Sequence, residues 1–445
     1  MGNIVLNCKL KVLTPTFIHS GEASYKIQFL KKGNFLYKLY LEKFISYLSP
    51  RFRHTFTRQI LSLGTNLEQF ERYMEELKQE FWNLDKEKRK NSLKEILRNH
   101  IPSREFGSAF RSIEEVMKDA NNVPYIPGSS LKGAIRTLFI RYILKRFLEE
   151  NILEEFLGSL IRLSTRNNRF DSKIFNQYLK SFLDTTLLPQ FIHISDFYPQ
   201  GEYDPKDYSN TYLGAYRIYR VPHISMPILS EGYNKNTFYK GKILIDKRYE
   251  RRDVKNFIKN SLDEYLRKAF RLPNEKIVKI LNLILETLDN FEETLKNIIF
   301  GEISKDYFNK VCYLKKLQYN TLNRENRFET SEKLRNIKEK LNNFFINLER
   351  YKERLQNINN VFPLFIGSYT NFYSKVLFFR YKNLNPTFNE NDWDFRLNNL
   401  LEELNFVRNL NVFPKTFSVA LELAESEKYL IPGLCQITIE NEKGE

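Results

Sequence analysis

The sequence has few cysteines and lacks a long apolar run. Its three cysteines, Cys8, Cys312 and Cys435, lie too far apart for a disulfide framework or a CxxC metal site. No run of about 18 apolar residues occurs, and the first residues do not show the charged and apolar segments of a signal peptide. We therefore expect no membrane span, and a reducing, cytoplasmic setting is the simplest expectation.

Positive charge is abundant and unevenly distributed. The chain of 445 residues has 70 Lys and Arg against 54 Asp and Glu, a formal net charge of +16. Half of this excess lies in residues 1–60, which hold ten basic and two acidic residues. Residues 121–146 hold five basic residues and no acidic one. This charge favours a polyanionic partner such as nucleic acid, and some of the 26 Tyr and 37 Phe could stack on bases.

The periodicity of apolar residues predicts strands near both ends and helices between them. Apolar and polar residues alternate over residues 3–13, which indicates a half-buried strand, and two short runs around Gly33 predict a hairpin. Strand patterns return between residues 188 and 245 and after residue 361. Helical spacing dominates residues 42–120, where Thr65 and Glu68 form a capping box, and residues 250–360. The pattern favours an α+β fold.

A turn that leads into a helix is the most informative segment. Residues 124–137 read Pro-Tyr-Ile-Pro-Gly-Ser-Ser-Leu-Lys-Gly-Ala-Ile-Arg-Thr. Ser129 or Ser130 could cap the helix, and the N–H groups of its positive end, beginning at Gly128, would face a docked anion. Lys132 and Arg136 are four residues apart, which places both cations on one helix face. The segment predicts a phosphate site, although an ordinary helix start could have a similar sequence.

Three segments together resemble a known family. Residues 124–137 resemble the signature turn of the RAMP superfamily, the RNA-binding subunits of CRISPR effector complexes. Residues 14–22, Thr-Pro-Thr-Phe-Ile-His-Ser-Gly-Glu, are similar to its first strand-to-helix loop, and residues 367–375, Gly-Ser-Tyr-Thr-Asn-Phe-Tyr-Ser-Lys, resemble its glycine-rich loop. Residues 413–416 and 431–434 are similar to the C-terminal part of one family in particular, subunit five of the type III-A (Csm) complex.

This resemblance implies a fold and a domain organisation. We expect an α+β protein with two ferredoxin-like (RRM-like) domains of the RAMP type, each with a helical insertion. The first domain would cover residues 1–150, with its insertion at about 42–120, and the second residues 151–445, with its insertion at about 250–360. In such a fold the three motif loops can converge over one sheet face.

The resemblance also implies a function and its residues. We expect a non-catalytic subunit that binds the 3′ part of the guide RNA, caps the backbone filament and supports guide RNA maturation. Its partners would be the guide RNA, the backbone RAMP subunit, other Csm subunits and, as a further class, host ribonucleases. No metal and no cofactor are expected. The implied RNA-binding residues are His19, Ser20, Gly21, Gly128, Ser129, Ser130, Lys132, Arg136, Gly367, Tyr369, Asn371, Ser374 and Lys375.

Catalysis is the main alternative, because relatives in the superfamily cut RNA without a metal. His19 is the histidine that lies in a motif loop, but it stands where the family pattern has glycine, and Phe17 stands where the pattern has histidine. Backbone subunits cut RNA with a first-domain aspartate and a divalent ion, whereas the first aspartate here is Asp85. Glu22, the carboxylate of that loop, fits a cap or an ion pair. We predict binding without cleavage, and a protein-recruiting scaffold is the third hypothesis.

Overall fold

A computed structural model describes most of the chain. It covers residues 2–25, 28–32, 35–39, 41–46, 97–102, 112–166, 169–201, 203, 212–368, 417–422 and 429–440, with isolated residues between 50 and 83. The strands are β1 (Ile4–Val12), β2 (His19–Tyr25), β3 (Phe29–Lys32), β4 (Phe35–Leu39), β5 (Leu97–Pro102), β6 (Ser112–Val116), β7 (Thr165–Arg166), β8 (Arg169–Phe170), β9 (Ile192–Ile194), β10 (Tyr198–Pro199), β11 (Leu213–Val221), β12 (His223–Tyr233), β13 (Phe238–Ile245), β14 (Val361–Phe365), β15 (Phe417–Glu422), β16 (Tyr429–Leu430) and β17 (Leu434–Ile439). The helices are α1 (Leu41–Ser46), α2 (Gly128–Glu149), α3 (Leu153–Leu163), α4 (Ser172–Thr185), α5 (Arg252–Tyr265), α6 (Asn274–Asp289), α7 (Phe291–Phe300), α8 (Glu302–Arg324) and α9 (Glu332–Gln356).

Two sheets form the framework of the described residues. The first sheet has the strand order β10-β13-β1-β17-β14, and β9 also pairs with β13. The second has the order β16-β15-β11-β12-β6-β2. In the first sheet β1 lies between β13 and β17 and is antiparallel to both, while in the second β12 and β6 run parallel. Both sheets therefore combine strands that are far apart in sequence.

Local sequence explains where the main elements form. In β1 the buried residues Cys8, Leu10 and Val12 alternate with partly exposed ones, as the sequence pattern predicts. The helix α6 follows Pro273, a residue that suits a helix start, and buries its apolar stripe. At the start of α9 the hydroxyl of Ser331 accepts a hydrogen bond from the Leu334 N–H at 3.3 Å.

The helices pack in two groups. Helices α2 to α7 share one hydrophobic cluster with the inner face of the first sheet. Helices α8 and α9 share a second cluster with residues of β11, β14 and β15. Burial of these apolar faces supplies the main driving force for the arrangement.

The predicted α+β class is confirmed, and so are several predicted elements. β1, the two strands of the predicted hairpin (β3 and β4) and the long helices between residues 250 and 360 are present. The prediction of a helical block at 42–120 is wrong at β5 and β6, which are strands. β6 forms because it pairs with β2 and β12, partners that sequence periodicity does not show. The capping box at Thr65 lies outside the described residues.

The predicted division of the chain near residue 150 stays a prediction. Strands from both sides of that position share each sheet, since β1 pairs with β13 and β17, and β6 pairs with β12. Any division into units has to keep these pairings together.

Gly128 lies so close to the backbone of residues 194–195 that a side chain has no room there. A Cβ at this position would lie 2.2 Å from the carbonyl oxygen of Ile194 and 2.7 Å from that of Ser195. We expect Gly128→Ala to lower the free energy of unfolding by about 1–3 kcal/mol, because backbone atoms must move. Gly133 in the same helix has open space around it, and Gly133→Ala should stabilise by about 1 kcal/mol. Urea unfolding of both variants measures this, and equal effects would contradict it.

Candidate nucleic-acid interface

The start of α2 is capped differently from the sequence expectation. The helix begins at Gly128 after the extended residue Pro127, and no side chain caps it from within the segment. The Gly128 N–H instead donates to the carboxylate Oδ1 of Asp196 at 2.9 Å. The prediction that Ser129 or Ser130 caps the helix is therefore wrong. Pro127 sets the turn one residue earlier, and a carboxylate from a neighbouring segment already occupies the first N–H group.

Lys132 and Arg136 lie together on the partly exposed side of α2. Another side of the helix holds it in the core through Leu131, Ile135 and Leu138. Arg136 forms an ion pair with Asp184 of α4, and the two side chains are 27% and 41% exposed. Burial and the nearby Arg136 lower the pKa of Lys132, while Asp184 opposes that change. The Asp184 carboxylate therefore pairs with Arg136 and acts electrostatically on Lys132, and a docked phosphate would compete with it.

The first loop and the start of the glycine-rich loop are in direct contact. Gly367 has φ +88, and a Cβ there would lie 2.2 Å from the carbonyl oxygen of Phe17. The Ser368 N–H donates to that same oxygen at 2.6 Å. Gly433, also at φ +88, donates its N–H to the carbonyl oxygen of Pro15 at 2.8 Å. Glycine permits this close backbone approach, and the segments around residues 15, 367 and 433 therefore form one contact region.

Backbone hydrogen bonds connect this region to the turn before α2. The Met117 N–H donates to the carbonyl oxygen of Ile18 at 3.0 Å, and the Tyr125 N–H donates to that of Met117 at 3.2 Å. Tyr125 precedes Gly128 by three residues. Met117 therefore connects the first loop to the turn before α2 through two backbone hydrogen bonds.

His19 holds strands together through both ring nitrogens. Its Nε2 lies 2.8 Å from the hydroxyl of Ser230 in β12, and its Nδ1 lies 3.3 Å from the carboxylate of Glu114 in β6. The side chain is 16% exposed. Burial lowers the pKa of His19, and the carboxylates of Glu114 and Glu231 oppose this shift. Both nitrogens are engaged with protein groups.

The two residues after His19 lie in β2, where its register with β6 shifts between His19 and Ala23. The Ser20 hydroxyl accepts a hydrogen bond from the Glu22 N–H at 3.1 Å. Gly21 has φ +86 and open space where a Cβ would lie. The positive φ, and not crowding, therefore explains why this residue is a glycine.

A buried charge cluster lies beside this loop, and the sequence analysis missed it. Glu115 of β6 accepts hydrogen bonds from Ser24 of β2 and from Lys38 of β4. Lys118 lies 2.5 Å from Glu231 and 3.6 Å from Glu115. Burial would raise the pKa of Glu115, but Lys118, Lys38 and the hydrogen bonds outweigh it and lower the pKa to about 2. The sequence contained one sign of this cluster. In the alternating segment Ser112–Val116, Glu115 is a carboxylate at a position that faces the interior.

Several expected residues cannot be placed on this interface. Tyr369, Asn371, Ser374 and Lys375 of the glycine-rich loop, and residues 413–416, lie outside the described residues.

Within the described part of the chain, no group of three His, Cys, Asp or Glu residues could hold a metal ion. The helices that the structure describes include none that is long and apolar enough to span a membrane. Cys8, Cys312 and Cys435 are buried and unbridged.

Comparison with known proteins supplies the family. In fold, the chain is similar to a chain in the cryo-EM structure of a Csm-crRNA-target RNA ternary complex of a type III-A CRISPR-Cas system. The TM-score is 0.55 at 16% identity, over 98% of this chain and 100% of that chain. The crystal structure of T. onnurineus Csm5 matches with a TM-score of 0.48 at 16% identity, over 97% of this chain and 100% of that chain. A search of curated protein sequences gives no match.

The fold and the sequence lead to the same superfamily. The observed α+β architecture, with its curled and mostly antiparallel sheets, agrees with the ferredoxin-like fold expected of RAMP proteins. The sequence profile of the RAMP superfamily matches residues 9–307, which is most of the chain. This match includes the first two motif segments, the resemblance to the RAMP superfamily is thus confirmed, and the protein belongs to that superfamily.

Proposed function

We propose that the protein is a non-catalytic RNA-binding subunit of a type III-A CRISPR ribonucleoprotein, equivalent to subunit five of the Csm complex. It binds the 3′ part of the guide RNA, caps the backbone filament and supports guide RNA maturation. The observation that carries the proposal is membership in the RAMP superfamily, with the fold of a subunit from a complex that contains crRNA and target RNA. The net charge of +16 supports a polyanionic ligand.

The proposed RNA contacts follow the three motif segments. Lys132 and Arg136 bind phosphates beside Asp184. At the helix start, Ser129 offers its hydroxyl and its backbone N–H, and Ser130 offers its hydroxyl, since the Ser130 N–H already donates to the carbonyl oxygen of Pro127 at 3.0 Å. Gly128 positions this turn, since its N–H is already bonded to Asp196. The remaining contacts come from the first loop at His19, Ser20 and Gly21, and from the glycine-rich loop at Gly367, Tyr369, Asn371, Ser374 and Lys375.

The environment of His19 favours binding over cleavage. A general base has to reach the 2′-hydroxyl proton, and a general acid has to reach the leaving oxygen. The two ring nitrogens of His19 lie at 2.8 Å and 3.3 Å from Ser230 and Glu114, and the ring is largely buried. This geometry fits a histidine that positions β2 against β6 and β12.

The capping role predicts a single copy at one end of the complex. Mixed with a backbone RAMP subunit and guide RNA, the tagged protein is expected at one tip of each particle, where the 3′ part of the guide emerges. Negative-stain electron microscopy of the labelled complex measures this. Alone with RNA, the protein should remain a monomer or small species, because a capping subunit does not extend its own filament. Labels along the whole filament, or no bound label, would refute the capping role.

The same preparation separates binding from catalysis. Labelled guide-repeat RNA should stay intact with Mg²⁺ or with a chelator. Cleavage by the wild type that is lost in His19→Ala would instead support a metal-independent endoribonuclease. Normal assembly without any RNA protection would favour the protein-recruiting scaffold.

A further inference from the structure

The outer face of the first sheet carries lysines on its two central strands. In β1, Lys9 and Lys11 alternate with residues that are buried against the helices. In β13, Lys240 and Lys242 alternate with the buried residues of that strand in the same way. We call this surface the lysine face, and it consists of Lys9, Lys11, Tyr198, Phe238, Lys240 and Lys242.

Strand register aligns these side chains in rows. Lys9 lies opposite Lys240, and Lys240 lies opposite Tyr198 of the edge strand β10. Lys11 lies opposite Phe238 in the next row. Directly opposed residues in antiparallel strands project from the same face, with their Cβ atoms roughly 5 Å apart. Like charges at such positions destabilise a sheet, so the Lys9–Lys240 pair indicates a face that is suited to an anionic ligand.

Aromatic rings are interleaved with these cations. The Nζ atoms of Lys9 and Lys11 lie 4.3 Å and 5.4 Å from the centre of the Phe238 ring. Tyr198 is 41% exposed and stacks on Tyr125, with ring centres 5.6 Å apart and planes inclined by 26°. Cations that contact phosphates, together with rings on which bases stack, are the usual means of binding single-stranded RNA on a sheet.

Acidic residues offset this charge only in part. Glu440 lies 3.5 Å from the Nζ of Lys240, and the two side chains are 35% and 52% exposed, so the bridge is weak. Asp119 and Asp196 lie near Tyr198 and contribute, after burial, to raising its pKa. These carboxylates are at the edge of the lysine face where it meets the turn before α2.

The lysine face continues towards the helix start. Tyr125, which stacks on Tyr198, lies in the segment that leads into α2, and Asp196 of the β9–β10 connection accepts the Gly128 N–H. A single RNA strand could therefore follow the row of Lys9, Lys240 and Tyr198 towards the first turn of α2.

We propose that the lysine face binds single-stranded RNA and forms a second RNA site, separate from Lys132 and Arg136. This goes beyond the proposed function, because it does not depend on the motif segments or on a place in a CRISPR complex. The two sites also differ in character. Arg136 is paired with Asp184, whereas the lysine face offers four cations, of which Lys240 has a weak bridge to Glu440, and an exposed ring.

The test is equilibrium binding of a labelled single-stranded oligouridine RNA to the full chain at several salt concentrations. The variant Lys9→Gln/Lys11→Gln/Lys240→Gln should bind at least about tenfold more weakly, and its salt slope should fall by about 2, since each lost phosphate contact on a single strand contributes roughly 0.7. The matched control Lys259→Gln/Lys268→Gln/Lys296→Gln removes the same charge from exposed lysines on the helical side. The control should bind nearly as well as the wild type.

A second variant keeps the proposal testable if the triple variant unfolds. Tyr198→Ala removes an exposed ring at the sheet edge and should weaken binding about fivefold or more without changing the salt slope, since it removes stacking and no charge. Unchanged affinity and slope in both folded variants would overturn the proposal. The proposal would also be overturned if the triple variant bound RNA normally but no longer bound an acidic partner protein. The proposal would also be overturned if only Lys132→Ala/Arg136→Ala bound RNA more weakly than the wild type. If only the lysine-face variants bound RNA more weakly, the proposal would stand, and Lys132 and Arg136 would be removed from the proposed contacts.

Discussion

Replacing Lys132 and Arg136 together with alanine is expected to weaken guide RNA binding by about 1–3 kcal/mol and to lower the salt slope by about 1.4. The two side chains lie on one face of α2, and each phosphate that they neutralise releases counterions. Filter binding or fluorescence anisotropy between 50 and 300 mM salt measures both quantities. The double variant Lys145→Ala/Lys180→Ala removes the same charge from exposed positions on α2 and α4 and serves as the control.

Asp184 provides a test in the opposite direction. Because its carboxylate pairs with Arg136, Asp184→Asn should release the guanidinium and strengthen RNA binding. An unchanged salt slope in the double alanine variant, together with no gain in Asp184→Asn, would show that the helix start does not hold phosphate.

The second large effect concerns stability. We expect Glu115→Gln to lower the free energy of unfolding at neutral pH by about 3 kcal/mol, since the buried ammonium of Lys38 loses its counterion. The pKa of Glu115 is lowered in the folded state to about 2. The stabilisation that Glu115 contributes is therefore complete above the pKa of a glutamate in the unfolded chain, about 4.3. This stabilisation is lost as the pH falls through about 2.

The pH dependence separates this electrostatic effect from a packing defect. The difference in stability between the wild type and Glu115→Gln should be constant from pH 7 to about pH 5 and should shrink below about pH 4, as measured by urea unfolding. The exposed Glu353 of α9 offers a control, because Glu353→Gln should change stability little. A difference that persists at pH 2 would show that Glu115 contributes through shape and not through charge.

Local periodicity predicted much of the fold. The alternation in β1 and the apolar stripes of α6 and α9 involve neighbours in sequence, so the elements follow from short segments. β6 was missed because its place in the second sheet depends on partners from β2 and β12. Strand formation depends on such tertiary context more than helix formation does.

The candidate site was predicted only in outline. The sequence indicated that Lys132 and Arg136 share a helix face, and the structure places them on the partly exposed side of α2. It could not indicate that Asp196 caps Gly128 or that Asp184 pairs with Arg136, since both carboxylates come from other elements. His19 was proposed as a loop residue beside RNA, whereas its hydrogen bonds extend to Ser230 and Glu114 of neighbouring strands.

The sequence by itself determined the sign of the charge, the helix that carries Lys132 and Arg136, and the three motif segments that identify the superfamily. These features depend on composition and on residues within a few positions of one another. Only the tertiary structure decided that Lys9 lies beside Lys240, that Gly367 contacts Phe17, and that Glu115 is buried among lysines. The reason is physical: sheet register and loop contacts join segments that are distant in the chain, and the burial that stabilises them exists only once those segments meet.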